Sequence, residues 1–501
     1  MLAMVPGYSI NARYMETMMG VKEKFDISDD FRLSKTKAWF SVLLMAVRMI
    51  RRMFQLPAKR KSFKELLDKV ISEYRSLDYD QLSAEELLTY YRNFERQLLN
   101  EWKAPLLNDF FAMIWFGMLK KYAEKELRSA NQNIHNDLLC GSRDIISVEP
   151  VHRTVEIASF IQKEEVLKND FLTLKEEQLW RKLAKPDHEY HIALAKLVNA
   201  YLADFGERCV GELKLETESY AQKPEKFMKV LKAYVQNEIN EEKISSTLEV
   251  ELRTKAEAEV NRKLRYKPIK KWWFKIVLRQ ARSMVSNREN LRFERTRAFG
   301  IVRKLFSAMG DRFLELGLID DARDIFFLTK NEIAEIIEGR SANQSLKAFI
   351  LLRKEDFLTF EKEEAPAERF ESKGVVYARH NSFYDSLLEV HEGDLVGIGC
   401  SPGKVKAKVR YVKSPDEVAS VEGDILITSS TDPGWVTLFP TASAIIVERG
   451  SLLSHSAIVS REMGIPCIVG VSGLLKTLKT GDEIVMDGST GTIKILKQVE
   501  S

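Results

Sequence analysis

The spacing of hydrophobic positions divides this chain into two parts. From residue 62 to about residue 361, apolar residues recur at intervals of three and four with charged residues between them, which predicts successive amphipathic helices. Residues 131–151 contain glycine, proline and short polar residues, so we expect a loop there between two helical groups. The clearest helices are expected at 63–77, 84–99, 109–128 and 288–316.

The pattern changes after about residue 361. The stretch EKEEAPAERFESKG is charged and poor in large apolar residues, as linkers are, and we expect a hinge at 366–392. Further on, short runs rich in β-branched residues alternate with glycine and predict strands, with one helix at 454–463 that ends at Gly464. The strands are expected at 404–412, 424–428, 444–448, 466–471, 483–487 and 492–496. The predicted fold class is a multidomain chain: a mostly α-helical region at 1–365, with room for two subdomains, and a compact α/β domain at 393–501.

One segment is unusually apolar for a helical domain. Residues 38–56, AWFSVLLMAVRMIRRMFQL, begin without charge and then carry Arg48, Arg51 and Arg52. The uncharged part is half the length of about 20 residues that a membrane span needs, so a buried helix is the preferred interpretation and an interfacial amphipathic helix the alternative. The basic and aromatic residues 262–282 allow the same two interpretations, and aromatic packing among solvated charges is preferred.

Composition limits the class of protein. The 501 residues are 45% hydrophobic and 30% charged, which indicates a soluble globular protein of about three domains. The 77 basic and 73 acidic residues leave a net charge of +4, too small for a nucleic-acid footprint unless it is clustered, so no nucleic-acid partner is expected. Four widely spaced cysteines predict neither a disulfide framework nor a zinc site, and the N-terminus lacks a secretory signal, so we expect a cytoplasmic protein.

Residues 445–470, IIVERGSLLSHSAIVSREMGIPCIVG, hold the most informative chemistry. Ser454 is suited to cap a helix, which places His455 in the first turn, where unpaired N–H groups and the helix dipole favour negative charge. A neutral imidazole, with a pKa of about 6.5, is a competent nucleophile toward a phosphoryl group. A histidine beside an apolar helix is also commonly structural, so both roles stay open on these grounds. His188 and His191 show no carboxylate pattern that requires a metal, and no metal site is predicted.

This stretch resembles the mobile, or swivelling, phosphohistidine domain of the phosphoenolpyruvate-utilising (PEP-utilising) enzymes. GIGCSPGKVKAKV at 397–409, TDPGW from Thr431 onward and DGSTGTI at 487–493 resemble other parts of that domain. The resemblance implies that His455 carries a phosphoryl group and that Thr431 supports it. The motif residues that carry the resemblance are Gly450, Ser454, His455, Ala457, Ile458, Arg461, Gly464, Ile465, Pro466 and Gly470, with Gly450, Ser454 and Arg461 as further supporting residues.

The sequence departs from the family pattern at three small residues. Ser451 replaces the second glycine of the loop, and Ser456 and Ser460 stand where alanines are common, so we expect the loop to keep its shape. Arg461 allows two interpretations. It either helps to neutralise the phosphate or packs on the surface two turns into the helix.

The order of domains resembles that of the rifampicin phosphotransferase family and of phosphoenolpyruvate synthase-like proteins, with a helical acceptor domain before the mobile domain. LLCGSRDIISVEP at 138–150, FGERCVGELKLET at 205–217 and GDRFLELGLIDDARDIFFLTKNEI at 310–333 resemble segments of that helical domain. By this resemblance Arg208 and Glu212 are possible acceptor-site residues. At i and i+4 on a helix they would form either an ion pair that holds the fold or a contact with the acceptor or the phosphohistidine.

The resemblance implies a function in two steps. In these families an ATP-grasp domain phosphorylates the histidine, and a second domain accepts the phosphoryl group. The chain has no GxxxxGK[ST] loop and begins like the helical region that follows the ATP-grasp domain, so ATP and Mg²⁺ are expected on a separate ATP-grasp polypeptide, this chain being a split subunit or a fragment. The expected activity is an ATP-dependent, dikinase-like phosphotransferase (a kinase) that moves phosphate from His455 to a small-molecule acceptor. The alternative is a non-catalytic binding or regulatory protein, with peripheral membrane contact through 38–56.

Overall fold

The computed structural model describes residues 35–127, 134–140, 146, 148–209, 211–240, 247–342, 345–363, 395–415, 417–418, 420–452 and 454–499. The expected hinge at 366–392 lies outside these residues. The described residues up to 363 form α-helices, short 3-10 helices, a π-helical turn at Ala123–Leu127 and the turns between them, and those from 395 onward form one sheet with short helices. The predicted fold class, a mostly helical region followed by an α/β domain, is therefore confirmed.

The helical region consists of helices in two groups around one long helix. The helices are α1 (Lys35–Arg75), α2 (Ala84–Gln97), α3 (Lys103–Tyr122), α4 (Ile134–Asp137), α5 (Glu149–Lys163), α6 (Glu165–Thr173), α7 (Glu176–Ala184), α8 (Glu189–Phe205), α9 (Glu225–Gln236), α10 (Thr247–Lys263), α11 (Pro268–Glu315), α12 (Lys330–Ile337) and α13 (Leu346–Phe360). The predicted loop at 131–151 is wrong at α4, because Ile134 and Leu138 bury their apolar side chains in the same core as α3 and α11.

Helix α11 is the axis of this region. Its 48 residues span about 72 Å, and Pro268 stands in its first turn, where a missing N–H costs no hydrogen bond. Helix α1 runs parallel to α11, because the numbers of the residues in contact rise together along both. Arg60 contacts the sulfur of Met284, Lys64 pairs with Glu294, and Arg297 donates to Asp68. Helices α5 to α9 form a separate core that reaches α11 through Phe293.

The C-terminal domain is one mixed sheet. Its strands are β1 (Leu395–Val396), β2 (Ile398–Ser401), β3 (Lys404–Tyr411), β4 (Ile425–Thr428), β5 (Ala444–Val447), β6 (Cys467–Val469), β7 (Glu483–Asp487) and β8 (Thr492–Lys497), in the spatial order β1-β8-β7-β3-β4-β5-β6-β2. Strands β3 to β6 pair in parallel, and the other pairs are antiparallel. Helices α14 (His455–Glu462) and α15 (Leu474–Thr477) complete the domain. Gly464, in left-handed conformation, follows the end of α14 as predicted.

The apolar segment 38–56 is helical, and those of its side chains that the structure describes are only partly buried. Leu56 is fully buried, whereas Val47, Ile50 and Phe54 are exposed, so the expectation of a buried helix is wrong for this face. The expectation of packed aromatics at 262–282 is wrong for Trp272, which is 63% exposed. Among the described residues, the structure contains no helix that is both long and apolar enough to cross a membrane.

Candidate functional site

Two neighbouring parallel strands place the candidate site. Strands β4 and β5 pair in parallel, so their carboxyl ends meet at one edge of the sheet, which is where ligands bind in open α/β sheets. The loop after β4 carries Thr431, and the loop after β5 carries Gly450 and leads to His455. The two loops are joined by a hydrogen bond from the amide of Arg449 to the carbonyl of Ser429 at 2.8 Å. The topology therefore brings the separate motifs together.

His455 is the first residue of α14. The Oγ of Ser454 accepts a hydrogen bond from the amide of Ala457 at 3.4 Å, which caps the helix as the sequence predicts. His455 is only 7% exposed, and neither of its ring nitrogens has a hydrogen-bond partner within the described part of the chain. A buried ring nitrogen without a partner is costly, so this arrangement favours a role in which another group contacts the ring.

The surroundings of His455 keep its ring neutral. Burial lowers the pKa of His455 well below its ordinary value, and the positive charges of Arg208 and Arg292 lower it further. A neutral imidazole retains the lone pair that a nucleophile needs. The same two arginines would attract a phosphoryl group on the ring, which carries nearly two negative charges at neutral pH.

Arg208 and Glu212 lie in a loop, and the expectation that they share a helix is wrong. Helix α8 ends at Phe205, and Gly211 adopts a positive φ of 65°, so the chain turns instead of continuing as a helix. The two side chains still meet, because Arg208 Nη1 donates to Glu212 Oε1 at 3.4 Å. The guanidinium of Arg208 also lies 5.1 Å from the centre of the Phe293 ring. Both residues are almost fully buried.

Glu212 is a carboxylate in an unusual environment. Burial raises its pKa, although Arg208 and the hydroxyl of Thr296 both act in the opposite direction. Thr296 Oγ1 donates to Glu212 Oε2 at 2.5 Å, and the negative charge of Asp432 raises the pKa further. A carboxyl group whose pKa is raised toward neutrality is suited to accept a proton during a reaction.

The C-terminal domain is docked on the helical region in this structure. The amide of Gly211 donates to Asp432 Oδ2 at 2.6 Å, and the hydroxyl of Tyr234 donates to the carbonyl of Thr437 at 2.7 Å. Val151 and Val155 of α5 share one buried cluster with Trp435 and Phe439 of the C-terminal domain. This docking places Arg208 and Arg292 of the helical region close enough to His455 for their charges to lower its pKa.

The remaining predicted site residues surround the His455 loop. A Cβ on Gly450 would lie 3.2 Å from the Cβ of Val469 and 3.3 Å from the Oγ of Ser454, so a glycine fits best there. The hydroxyl of Thr431 is buried without a hydrogen-bond partner in the described residues. Arg461 is buried and not on the surface. Its guanidinium donates to the carbonyls of Cys400 at 3.3 Å and Leu452 at 3.5 Å, which ties the loop before His455 to β2.

Four residues of the site were missed in the sequence. Arg292 and Thr296 lie one helical turn apart on α11, and Asp432 is the acidic residue of the TDPGW loop. Arg303 is 1% exposed and donates to the carbonyls of Glu212 at 3.0 Å and Lys214 at 3.1 Å, which anchors the loop that carries Arg208. The i, i+4 spacing of Arg292 and Thr296 is a detectable signal, but their partners come from distant segments.

Comparison with known proteins supports the resemblance. Residues 420–491 match the family model of the PEP-utilising enzyme mobile domain, and residues 103–289 match that of the rifampicin phosphotransferase fourth domain. The first match contains His455, and the second contains Arg208 and Glu212. The chain thus combines segments similar to a phosphohistidine domain and to a helical phosphotransferase domain.

Several of the individual relatives are rifampicin phosphotransferases. That of Bacillus subtilis is 25% identical over 390 residues, which are 76% of this chain and 42% of the relative. That of Streptomyces sviceus is 27% identical over 306 residues, 60% of this chain and 34% of the relative. The chain therefore spans less than half the length of these relatives. Among solved structures, the holo-form of Thermococcus kodakaraensis aconitase X matches 21% of this chain and 99% of its own at 20% identity, with a TM-score of 0.18, too low to carry an argument. The predicted resemblance to the PEP-utilising and rifampicin phosphotransferase families is confirmed.

Proposed function

We propose that this chain is the carrier and acceptor part of an ATP-dependent phosphotransferase. His455 receives a phosphoryl group and delivers it to a small molecule held by the helical region. The observation that carries the proposal is the buried ring of His455, which follows the capping Ser454, has no hydrogen-bond partner among the described residues, and lies where the charges of Arg208 and Arg292 lower its pKa.

The burial of His455 indicates at which step of the phosphoryl transfer the mobile domain is docked on the helical region. A ring that is 7% exposed leaves no room for a nucleotide-binding domain to reach it, so phosphorylation requires the mobile domain to leave the helical region. The docked state is then the one in which the phosphoryl group meets its acceptor. Among the described residues, hydrogen bonds from Gly211 to Asp432 and from Tyr234 to Thr437 join the two regions, and relative motion is the ordinary behaviour of domains joined by interfaces of this kind.

The transfer step uses groups on both sides of the interface. A hydroxyl of the acceptor attacks phosphorus, the N–P bond to His455 breaks, and the electron pair returns to the imidazole. Glu212 takes the hydroxyl proton, because burial raises its pKa toward the range in which a carboxylate accepts protons. Arg208 and Arg292 neutralise charge on the moving phosphoryl group, which is the main catalytic requirement of such a reaction.

ATP and Mg²⁺ belong to an ATP-grasp domain outside these 501 residues. The proposal rests on the resemblance and on the share of the relatives that the chain spans. Among the described residues, the structure contains no group of three or more histidine, cysteine, aspartate or glutamate side chains that could hold a metal ion. The chemistry that Mg²⁺ supplies is charge neutralisation during cleavage of ATP.

The first test is phosphorylation of His455. The purified chain is incubated with Mg²⁺ and ATP labelled at the β or γ position, with and without a candidate ATP-grasp partner. We expect acid-labile, base-stable label on the wild type only with the partner, no label on His455→Ala, and full label on the control His152→Ala, whose histidine is exposed. Label that persists in His455→Ala contradicts the proposal. No label with any partner favours a binding or regulatory protein.

The second test separates the carrier from the acceptor site. Glu212→Gln removes the proton acceptor but keeps the size of the side chain, so label on His455 should form normally while transfer to the acceptor slows by about 10²- to 10⁴-fold. Chasing labelled protein with candidate acceptors measures this rate. Equal transfer by the wild type and the variant would rule out Glu212 as the base.

A further inference from the structure

Residues 47–54 of α1 and the first turns of α11 form a surface that the proposed function does not use. Arg60 of α1 is level with Met284 of α11, and the two helices are parallel. Met49 and Met53 of α1 pack against the buried cluster that contains Phe274 of α11, so the exposed residues around them lie near the start of α11. The same end of α11 is held by Tyr122, which donates to the carbonyl of Lys270 at 3.0 Å. We call this end of the helical region the basic tip.

The basic tip exposes large apolar side chains. They are not scattered, because all lie within the first turns of α11 or on the outer face of α1. Isolated exposed hydrophobics are ordinary on a protein surface, but a contiguous group marks an interaction site. The group is Val47 at 56% exposed, Ile50 at 55%, Phe54 at 75%, Ile269 at 80%, Trp272 at 63% and Trp273 at 39%.

The same surface is strongly positive. The sequence has no aspartate or glutamate between residues 31 and 64 or between residues 260 and 288. Glu126 pairs with Lys267 and Lys270, yet Arg48, Arg51 and Arg52 have no ion pair within the described residues. The net charge of +4 for the whole chain thus conceals a local concentration of positive charge at one end.

We propose that the basic tip binds the surface of an anionic phospholipid bilayer. Tryptophan, phenylalanine and isoleucine gain free energy by entering the boundary between headgroups and acyl chains, and surrounding lysines and arginines attract anionic headgroups. Valine and isoleucine side chains offer neither stacking nor hydrogen bonds to a nucleic acid, so the composition favours lipid over DNA or RNA. The proposal does not depend on the phosphotransferase assignment.

The tip is compatible with an active site elsewhere on the molecule. Trp272 precedes Arg292 by 20 residues on α11, so the bilayer would lie about 30 Å from the His455 site along the helix axis. This distance leaves the mobile domain clear of the membrane.

Vesicle sedimentation tests the proposal on the full chain. We expect binding to phosphatidylcholine vesicles that contain about one-third phosphatidylserine, and little binding to pure phosphatidylcholine or at high salt. The variant Arg48→Gln/Arg51→Gln/Arg52→Gln should bind at least about tenfold more weakly, and Trp272→Ala/Trp273→Ala should lose the vesicle-induced blue shift of tryptophan fluorescence. The control Leu352→Ala/Phe360→Ala, which removes similarly exposed side chains from α13, should bind as the wild type does.

Three outcomes would overturn the proposal. The first is no sedimentation with anionic vesicles. The second is sedimentation that neither tip variant weakens. The third is a wild-type chain that binds no vesicles but binds a nucleic acid or self-associates. If the tip variants lose that binding, the surface belongs to that partner and not to a bilayer. Because all substituted residues are exposed, unchanged thermal unfolding by circular dichroism confirms that the variants are folded.

Discussion

Acidification should undock the mobile domain through His455. The docked state holds the ring neutral, because burial and the charges of Arg208 and Arg292 lower its pKa well below 6.5. Once undocked, the ring takes up a proton near its ordinary pKa. Because the pKa of His455 is lower in the docked state than in the undocked state, protonation favours the undocked state. Docking is therefore unaffected above about pH 6.5 and weakens as the pH falls below that value.

The size of the effect follows from the ordinary pKa of the undocked ring. At pH 5.5, one unit below 6.5, the undocked state gains about 1.4 kcal/mol, or roughly a tenfold shift toward undocking, and at pH 7.5 it gains less than about 0.1 kcal/mol. In His455→Gln the side chain is polar and of similar size but does not titrate, so the docking equilibrium of this variant should lack the pH dependence that comes from His455. Glu212 is present in both proteins, so its contribution to the pH dependence of docking cancels when the wild type and the variant are compared.

Hydrogen exchange measures the docking equilibrium. The reporter is the turn Pro433–Thr437, whose residues Trp435 and Val436 are buried in the shared cluster with α5. After correction for intrinsic exchange rates, protection of this turn should fall about tenfold between pH 7.5 and 5.5 in the wild type and change much less in His455→Gln. Equal pH responses in the two proteins would refute the assignment of this proton to His455.

Two further substitutions test the loop and the interface. Arg303→Met removes a buried guanidinium that donates to the carbonyls of Glu212 and Lys214, and should lower the free energy of unfolding in urea by about 3 kcal/mol. Lys347→Met, which breaks an exposed ion pair, should lower it by less than about 1 kcal/mol. Similar losses in the two variants would show that Arg303 does not anchor the loop. Tyr234→Phe removes one interdomain hydrogen bond and should weaken docking by about 1 kcal/mol. The measurement is hydrogen exchange, which should become faster in Pro433–Thr437 and stay unchanged in the α8 amides. Unaltered exchange in Pro433–Thr437 would contradict a role of Tyr234 in docking.

Local signals predicted most of the secondary structure. The β-branched runs matched the strands from β3 to β8 within two residues at each end, and Ser454 and Gly464 marked the two ends of α14. These features depend on residues within a few positions of one another, so the sequence pattern contains them. The loop predicted over α4 failed because buried tertiary contacts outweighed the local turn signals there.

The candidate site was only half visible in the sequence. His455 could be singled out, because a cap, a helix start and a glycine loop occur together within a short stretch. Arg292 could not, because its proximity to His455 depends on docking between segments more than 160 residues apart. For Arg208 and Glu212 the i, i+4 rule offered an ion pair as one of two interpretations; the structure contains that pair, but in a loop and not on a helix.

By itself, the sequence determined the two-part architecture, the strands, the capped helix and the resemblance to a phosphohistidine domain, because periodicity and short motifs are local properties. Only the tertiary structure decided that His455 is buried where the charges of Arg208 and Arg292 lower its pKa, that burial raises the pKa of Glu212, and that Met49 and Met53 of α1 pack in one cluster with Phe274 near the start of α11. Burial and charge are sums over all the neighbours that folding brings together, and most of those neighbours are distant in the chain.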